Sequence, residues 1–241
     1  MKFENTKVWG LENAIIGMRL PMCKDYKEAR GNCDSWFSRN CGTDCTFDDC
    51  DYIKTITLKE NDLDLCQRLI KADEKGDGAP NSKFLRMIHV QVAVTAPLYW
   101  WKEFDTYKIG TVGNSTSTMH KLAETPITLD CFEMDDAIQE VGLDLPFYGV
   151  NFYSMWQNLI NFCEQLRQKY NETKDKRYWK ELIRLLPESW LQTRMLDLNY
   201  ATLRSIYSWR RGHKLTEWHT FCYWIEGLPY SREFLTNGGS K

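Results

Sequence analysis

The stretch Ala96–His120, APLYWWKEFDTYKIGTVGNSTSTMH, changes from an aromatic opening to a run of Ser, Thr, Asn and Gly. The aromatic opening favours a helix, and the polar run favours a loop. Polar loops of this kind carry binding sites more often than they fill cores. The simpler alternative is an amphipathic helix followed by an ordinary polar connection. The residues on either side decide between the two.

The residues before this stretch predict alternating strands and helices. The second half of Phe84–Ala96 alternates β-branched residues with others, which predicts a strand with one face in the core. Asn61–Ala72 has helical apolar spacing behind an Asn/Asp cap. Tyr52–Leu58 alternates Ile with Lys and Thr and predicts a half-buried strand. Further upstream, Asn13–Leu20 fits a strand or a short helix, and Tyr26–Arg30 fits a helix.

The C-terminal half predicts a series of helices. Ser154–Tyr170 carries apolar residues at helical spacing. A charged helix begins at Lys174–Glu181 and must end before Pro187, because the proline ring disfavours a helical residue in front of it. Leu198–Trp209 and Leu215–Ile225 predict two further helices.

Composition limits the class of protein. The chain has 241 residues, of which 43% are hydrophobic and 14% aromatic, enough for a sizeable core in one domain spanning residues 1–241. The net charge is -2, with both signs mixed along the chain, so no basic surface for nucleic acid or an anionic membrane is indicated. No apolar run reaches the roughly 20 residues of a membrane span, and MKFENTKVWG lacks a signal-peptide core. We therefore expect a cytoplasmic protein.

The nine cysteines are odd in number, which predicts reduced and mostly buried thiols. Four of them, Cys33, Cys41, Cys45 and Cys50, fall in the polar segment 31–50, which predicts a Cys-rich loop or insertion. Their spacing, C-x7-C-x3-C-x4-C, differs from the C-x2-C pairs of common zinc sites. We assign no metal ligands, and both a bound metal and a loop with free thiols stay open.

The central stretch matches the layout of one enzyme family. In that family a strand leads into a helix carrying R-H-R, followed by x-x-S-x-N-E-x-S-x-R. Aligned without gaps from Ala96-Pro97, this chain has Thr106-Tyr107-Lys108 at R-H-R, Gly113-Asn114 at N-E, Thr116 at the second Ser and Thr118 at the closing Arg. With a one-residue insertion, Asn114 falls on the Asn and Ser117 on the Ser.

The C-terminal layout agrees with the same family. Leu186-Pro187, Gln192-Thr193-Arg194, Asn199, Leu203 and Trp209-Arg210 follow its order and spacing, and Asn81 takes the place of a His in its H-x-S-x-x-E-H segment. Over residues 52–235 the chain thus resembles the flavin-dependent thymidylate synthases, the ThyX-like proteins. The resemblance implies an α+β fold, with an antiparallel central sheet flanked by helices in a single domain.

The resemblance also implies an activity and its ligands. Family members are homotetramers that hold FAD between subunits and methylate dUMP, with methylenetetrahydrofolate and NADPH as co-substrates. This is a methyltransferase reaction of nucleotide biosynthesis. The predicted partners are therefore a pyrimidine nucleotide and further copies of the chain. The alternative function is a non-catalytic homologue that binds a nucleotide or a partner, because the motif arginines at Thr106, Lys108 and Thr118 are missing.

The site residues are carried over position by position. Arg210 is predicted to be catalytic, on the family's nucleotide-binding Arg. The predicted substrate-binding residues are Arg194, Arg210, Arg211, Asn114, Thr116 and Ser117, and the predicted cofactor-binding residues are Asn81, Thr106, Tyr107, Lys108, Asn199 and Ser205. Two simpler interpretations stay open. Arg210 and Arg211 also suit a solvated helix C-terminus, where cations are favoured. Arg194 also suits the surface of a helix.

Overall fold

The computed structural model describes residues 1–38, 55–74, 81–135 and 152–236. Cys41, Cys45 and Cys50 lie outside these residues, so the question of a metal bound by four cysteines stays open. Contacts divide the chain into two compact units. The first unit contains Met1–Phe3, Ala93–Thr106 and Gly113–Met195, and the second contains Glu4–Val92, Tyr107–Val112 and Leu196–Lys241. The single domain over residues 1–241 stays a prediction.

Helices and strands alternate through the first half of the chain, and helices dominate the second. In chain order the elements are β1 Lys2–Trp9, α1 Leu11–Gly17, α2 Tyr26–Gly31, β2 Trp36–Ser38, β3 Thr55–Thr57, α3 Glu60–Glu74, β4 His89–Pro97, α4 Leu98–Phe104, β5 Thr111–Ser115, α5 Thr118–Lys121, α6 Phe152–Thr173, α7 Lys176–Leu185, β6 Leu191–Asn199, α8 Tyr200–Arg210 and α9 Thr216–Glu226. Short 3₁₀ turns lie at Leu20–Met22, Asn81–Met87 and Leu129–Cys131, and a π turn lies at Arg232–Thr236.

Four strands form an antiparallel sheet in the order β1-β4-β6-β5, which confirms the predicted central sheet. Each of these strands contributes residues to both units. Along β4, Val90, Val92, Val94 and Ala96 are fully buried and alternate with half-buried residues, as the sequence predicts for the second half of Phe84–Ala96. Strands β2 and β3 form a separate antiparallel pair.

Several predictions of secondary structure are wrong. Thr111–Ser115, predicted to be a loop, is strand β5, and its side chains are mostly exposed. Arg194, for which a helix surface was the simpler alternative, lies on strand β6, which the sequence did not predict. Trp36–Ser38, inside the predicted Cys-rich loop, is strand β2. Helix α3 begins at Glu60, so Asp62 lies in its first turn and is not a cap.

The predicted C-terminal helices are confirmed, with shifted ends. α6, α7, α8 and α9 cover the four segments that the helical spacing indicates. Asn13–Leu20 is mostly helical as α1, and Tyr26–Arg30 is α2. In the second unit, Ile16, Ile206 and Phe221 are fully buried, and the ring of Phe84 packs edge-on against Phe234 at 5.8 Å between centroids. These apolar faces form the core of the second unit.

A buried carboxylate organises the N-terminal part of the second unit. Asp62 is 0% exposed and accepts hydrogen bonds from Arg19 at 2.8 and 2.5 Å and from the Ser35 amide at 2.9 Å. The Cys33 thiol also donates to Asp62, at 3.3 Å. Burial opposes ionisation, but the bonds from Ser35 and Arg19 outweigh it and hold the pKa of Asp62 below its usual range. The same burial raises the pKa of the Cys33 thiol, which stays protonated at neutral pH.

The first unit has its own apolar core and an ion pair on α6 whose carboxylate is also hydrogen-bonded to the segment that precedes α6. Ile160, Cys163 and Leu182 from α6 and α7 are buried against Phe132. Glu164 on α6 accepts two bonds from Arg167, at 2.7 and 2.6 Å, and one from the Ile127 amide at 2.8 Å. These hydrogen bonds lower the pKa of Glu164 to about 2, against a smaller opposing effect of burial.

Glu164→Gln tests this link through its pH dependence. The pKa of Glu164 in the folded protein is depressed from 4.5, so the stabilisation is present above that pH and is lost as the pH falls towards 2. We expect the free energy of unfolding near pH 7 to fall by about 1–3 kcal/mol. The difference from wild type should shrink in urea titrations below about pH 4.

Glu172→Gln is the matched control. Glu172 lies on the same helix and pairs with Lys169, but its side chain is 61% exposed, so its loss should change stability by no more than about 0.5 kcal/mol. Equal losses for the two variants, or a loss at Glu164 that does not vary with pH, would contradict the assigned role.

Candidate functional site

Arg210, the last residue of α8, is held by two aromatic side chains of the second unit. Its Nε donates to the hydroxyl of Tyr107 at 2.7 Å. Its guanidinium carbon lies 4.5 Å from the ring centroid of Trp218 and 5.4 Å from that of Tyr107. Trp218 is fully buried and meets Tyr107 edge-on at 6.0 Å. A guanidinium over a buried indole is fixed in position while its charge is retained. Arg210 is therefore more than a solvated helix end.

The segment that carries Tyr107 is fastened to the start of α8. The Thr202 hydroxyl donates to the carbonyl oxygen of Ile109 at 3.1 Å. Gly110 has φ +72°, and a Cβ there would lie 2.5 Å from Thr202 Oγ1 and 2.6 Å from Asn199 Nδ2. Only glycine meets both conditions without strain or a clash. Asn199 in turn caps α8, since its Oδ1 accepts from the Thr202 amide at 2.9 Å.

The other predicted residues of the second unit lie in three different places. Lys108 and Ser205 are exposed. Asn81 is half-buried, and its amide donates to Asp73 Oδ1 at 2.6 Å. Arg211 is exposed and lines a cavity of about 500 Å³, together with Tyr207, Gly212, His219, Cys222, Tyr223 and Glu226. Arg211 forms no ion pair with any residue that the structure describes.

Two groups that line this cavity, Tyr207 and Cys222, are protonated at neutral pH. Tyr207 donates to Glu226 Oε1 at 2.8 Å, and burial, with that bond, raises the pKa of Tyr207 to about 12. Burial likewise raises the pKa of the Cys222 thiol to about 11. Because the thiolate is the nucleophilic form, Cys222 is a poor nucleophile.

Arg194 is the centre of a second cluster, in the first unit. Its Nε donates to Gln192 Oε1 at 2.9 Å, and its Nη1 donates to Asp105 Oδ1 at 2.6 Å. Its guanidinium carbon lies 4.2 Å from the ring centroid of Trp101. Trp101 is 1% exposed, and its Nε1 donates to the carbonyl oxygen of Gln192 at 3.0 Å. Arg194 thus has a defined orientation on strand β6.

The same glutamine connects Arg194 to the predicted substrate-binding loop. Gln192 Nε2 donates to the carbonyl oxygen of Thr116 at 2.9 Å. The Thr116 amide donates to the Thr193 carbonyl at 2.9 Å, so Thr116 is paired with β6. The Ser117 carbonyl accepts from the Lys121 amide in the first turn of α5. Asn114 lies on β5 and is exposed.

The structure brings together only part of the predicted set. In the second unit, the segment that carries Tyr107 contacts Arg210 at the end of α8 and lies against Asn199 at its start. In the first unit, Gln192 is hydrogen-bonded to both Arg194 and Thr116. Thr106 is exposed and its hydroxyl donates to the Glu103 carbonyl at 2.7 Å.

Four residues of these clusters are not among the predicted site residues: Trp101, Asp105, Gln192 and Trp218. Gln192 falls in the Gln192-Thr193-Arg194 stretch that resembles the family, and Asp105 directly precedes Thr106. The two tryptophans stand at helical spacing, which is more typical of a core.

The residues that the structure describes contain no helix long and apolar enough to cross a membrane. They also contain no group of three His, Cys, Asp or Glu side chains arranged to hold a metal ion.

The contact between Tyr107 and Arg210 predicts a measurable coupling. In a double-mutant cycle of Tyr107→Phe and Arg210→Gln, we expect a coupling energy of about 1.5 kcal/mol or more, because the bond has a charged donor. Urea unfolding of the four proteins measures it. Lys108→Ala, combined with Arg210→Gln, should be additive within about 0.5 kcal/mol because Lys108 is exposed. Additivity of the first pair would show that the contact contributes nothing.

Comparison with known proteins supports the fold alone. No protein-family model matches the chain, and no curated protein matches it. Among solved structures, it is similar to the flavin-dependent thymidylate synthase ThyX of Helicobacter pylori complexed with FAD and dUMP, with a TM-score of 0.60, 14% identity and 100% of each chain covered. A second structure of Helicobacter pylori ThyX with FAD and dUMP has a TM-score of 0.57 and 15% identity, and covers 98% of this chain and 97% of the other. The chain therefore has a ThyX-like fold, as the sequence predicts.

Proposed function

We propose that this chain is a divergent flavin-dependent thymidylate synthase-like protein that binds FAD and a pyrimidine nucleotide. The proposed reaction is methylation of dUMP or a related nucleotide, with methylenetetrahydrofolate and NADPH as co-substrates. The observation that carries the proposal is the arrangement around Arg210, which the sequence resemblance aligns with the family's nucleotide-binding Arg, on a fold similar to ThyX over its whole length. A guanidinium fixed by a buried indole and a tyrosine hydroxyl suits an anionic ligand.

The other residues proposed to bind the substrate differ in how the structure holds them. Arg194 is oriented on β6 and can bind a phosphate. Gln192 links Arg194 to Thr116 by hydrogen bonds, and Ser117 follows Thr116 in the chain. Arg211 is exposed and can supply further positive charge. Asn114 is exposed on β5 and can offer its amide. These roles are part of the proposal and follow from the resemblance.

The residues proposed for FAD fit its phosphate and ribose groups better than its ring. Lys108 and Ser205 are exposed, and they offer an ammonium and a hydroxyl. Asn199, Tyr107 and Thr106 already bond within the protein, to Thr202, Arg210 and Glu103. Asn81 keeps a half-buried amide side chain. When bound, FAD would supply the hydride-transfer chemistry, and this chain's residues would bind and orient it.

A non-catalytic homologue is the second candidate. It is favoured by the missing motif arginines and by the internal hydrogen bonds of Arg194 and Thr116, which engage groups that a ligand would otherwise take. Such a protein would keep the fold and bind a nucleotide or a partner without turnover. A homotetrameric assembly in the cytoplasm, without nucleic acid or membrane partners, belongs to both versions of the proposal.

The flavin spectrum tests the proposal most directly. Protein reconstituted with FAD should show bound-flavin absorbance that bleaches with NADPH, and dUMP should raise its melting temperature. Arg210→Ala should remove most of the shift caused by dUMP, because each charge-assisted bond contributes about 1.5–3 kcal/mol. Arg68→Ala removes a cation whose side chain is 66% exposed, and should leave the shift unchanged.

The outcomes separate the two candidates. Binding of FAD and dUMP with turnover in the presence of methylenetetrahydrofolate supports the enzyme. Binding of dUMP without flavin bleaching supports the non-catalytic homologue. A protein that neither retains FAD nor is stabilised by dUMP refutes both.

A further inference from the structure

We propose that Asp105 is an internal competitor for the anionic group of the ligand at Arg194. In this arrangement the Asp105 carboxylate forms an ion pair with the Arg194 guanidinium when no ligand is bound, and a phosphate displaces it on binding. The inference rests on the proposed function, which assigns the nucleotide phosphate to Arg194. Asp105 would set the affinity of that same site for the anionic group.

The orientation of Arg194 does not depend on Asp105. Gln192, which is 8% exposed, accepts the Nε bond, and the ring of Trp101, which is 1% exposed, lies under the guanidinium. Trp101 is itself tied to the Gln192 carbonyl at 3.0 Å. These two neutral contacts fix the plane of the guanidinium and leave its charge in place. Asp105 is the third contact, and the one that carries the opposite charge.

Asp105 is well placed to leave. It uses one oxygen, Oδ1, and one donor, Nη1, at 2.6 Å. Its side chain is 57% exposed, whereas that of Arg194 is 19% exposed. Within the described part of the chain, Nη2 of Arg194 makes no hydrogen bond. A phosphate can take Nη1 and Nη2 together, and such bidentate pairing is stronger than a single bond.

The position of Asp105 in its own helix argues for a role towards Arg194. It directly follows α4, and its amide donates to the Trp101 carbonyl at 2.8 Å. A carboxylate at the C-terminus of a helix is unfavourable, because the helix end carries partial negative charge. Asp105 therefore does not stabilise α4, and the ion pair with Arg194 accounts for an acid at this position.

Competition lowers the apparent affinity for every anion. The ligand binds only the fraction of molecules in which Asp105 has left, so the apparent dissociation constant rises by the inverse of that fraction. Exposed ion pairs of this kind are weak, which keeps the competition modest. The site then releases its anion readily while keeping Arg194 oriented.

Asp105→Asn tests the inference, with inorganic phosphate as the probe. The variant keeps the size of the side chain and removes its charge. We expect phosphate to bind about two- to five-fold more tightly than to wild type in calorimetry at low salt. Adding Arg194→Gln to this variant should abolish the gain. Without phosphate, the melting temperature of Asp105→Asn should stay near that of wild type. If Asp105→Asn folds poorly, Asp105→Ser removes the same charge and replaces it in the test.

Glu188→Gln is the matched control for net charge. Glu188 is an acid of the same unit, pairs with Lys102 at 2.6 Å and has a side chain that is 53% exposed. An equal gain in Glu188→Gln would show a general charge effect and overturn the inference. So would unchanged or weaker phosphate binding in Asp105→Asn, or no phosphate binding by any variant. Binding of FAD and dUMP is measured separately: a gain in phosphate affinity in a protein that binds neither FAD nor dUMP refutes the proposed function and leaves the competitor role standing.

Discussion

The central constraint is the position of β6, which is hydrogen-bonded between β4 and β5. Side-chain and backbone bonds reinforce it: Thr193 meets the Thr95 hydroxyl at 2.7 Å and the Thr116 amide at 2.9 Å. Further along, Asp197 is bonded to His89 at 2.9 Å. An inner strand cannot slip by one residue without turning every side chain to the other face. The register of β6 therefore decides where Arg194 and Asn199 stand.

Arg194 and Arg210 are held in the same way, although they lie in different elements. Each guanidinium lies over a buried tryptophan, Trp101 at 4.2 Å and Trp218 at 4.5 Å. Each donates through Nε to a neutral oxygen, of Gln192 or Tyr107. These neutral contacts restrict each guanidinium to one orientation.

How far the sequence predicts the structure depends on the type of element. The long helices follow from apolar spacing, and β4 follows from alternating valines. β6 was missed because Gln192 and Arg194 interrupt its alternation, and their bonds are visible only in three dimensions. β5 was taken for a loop because an exposed strand can carry Gly, Asn and Ser. The resemblance to the family singled out Arg210, but no local pattern indicates that Trp218 lies beneath it.

The segment from Tyr107 to Gly110 touches both ends of α8. Gly110 and Ile109 lie against Asn199 and Thr202 at the start of the helix, and Tyr107 bonds to Arg210 at its end. The segment is therefore held at one end by packing that admits only glycine at position 110, and at the other by the hydrogen bond from Arg210 to Tyr107. Because both attachments lie on α8, the position of the Tyr107 side chain relative to this helix is defined at two points.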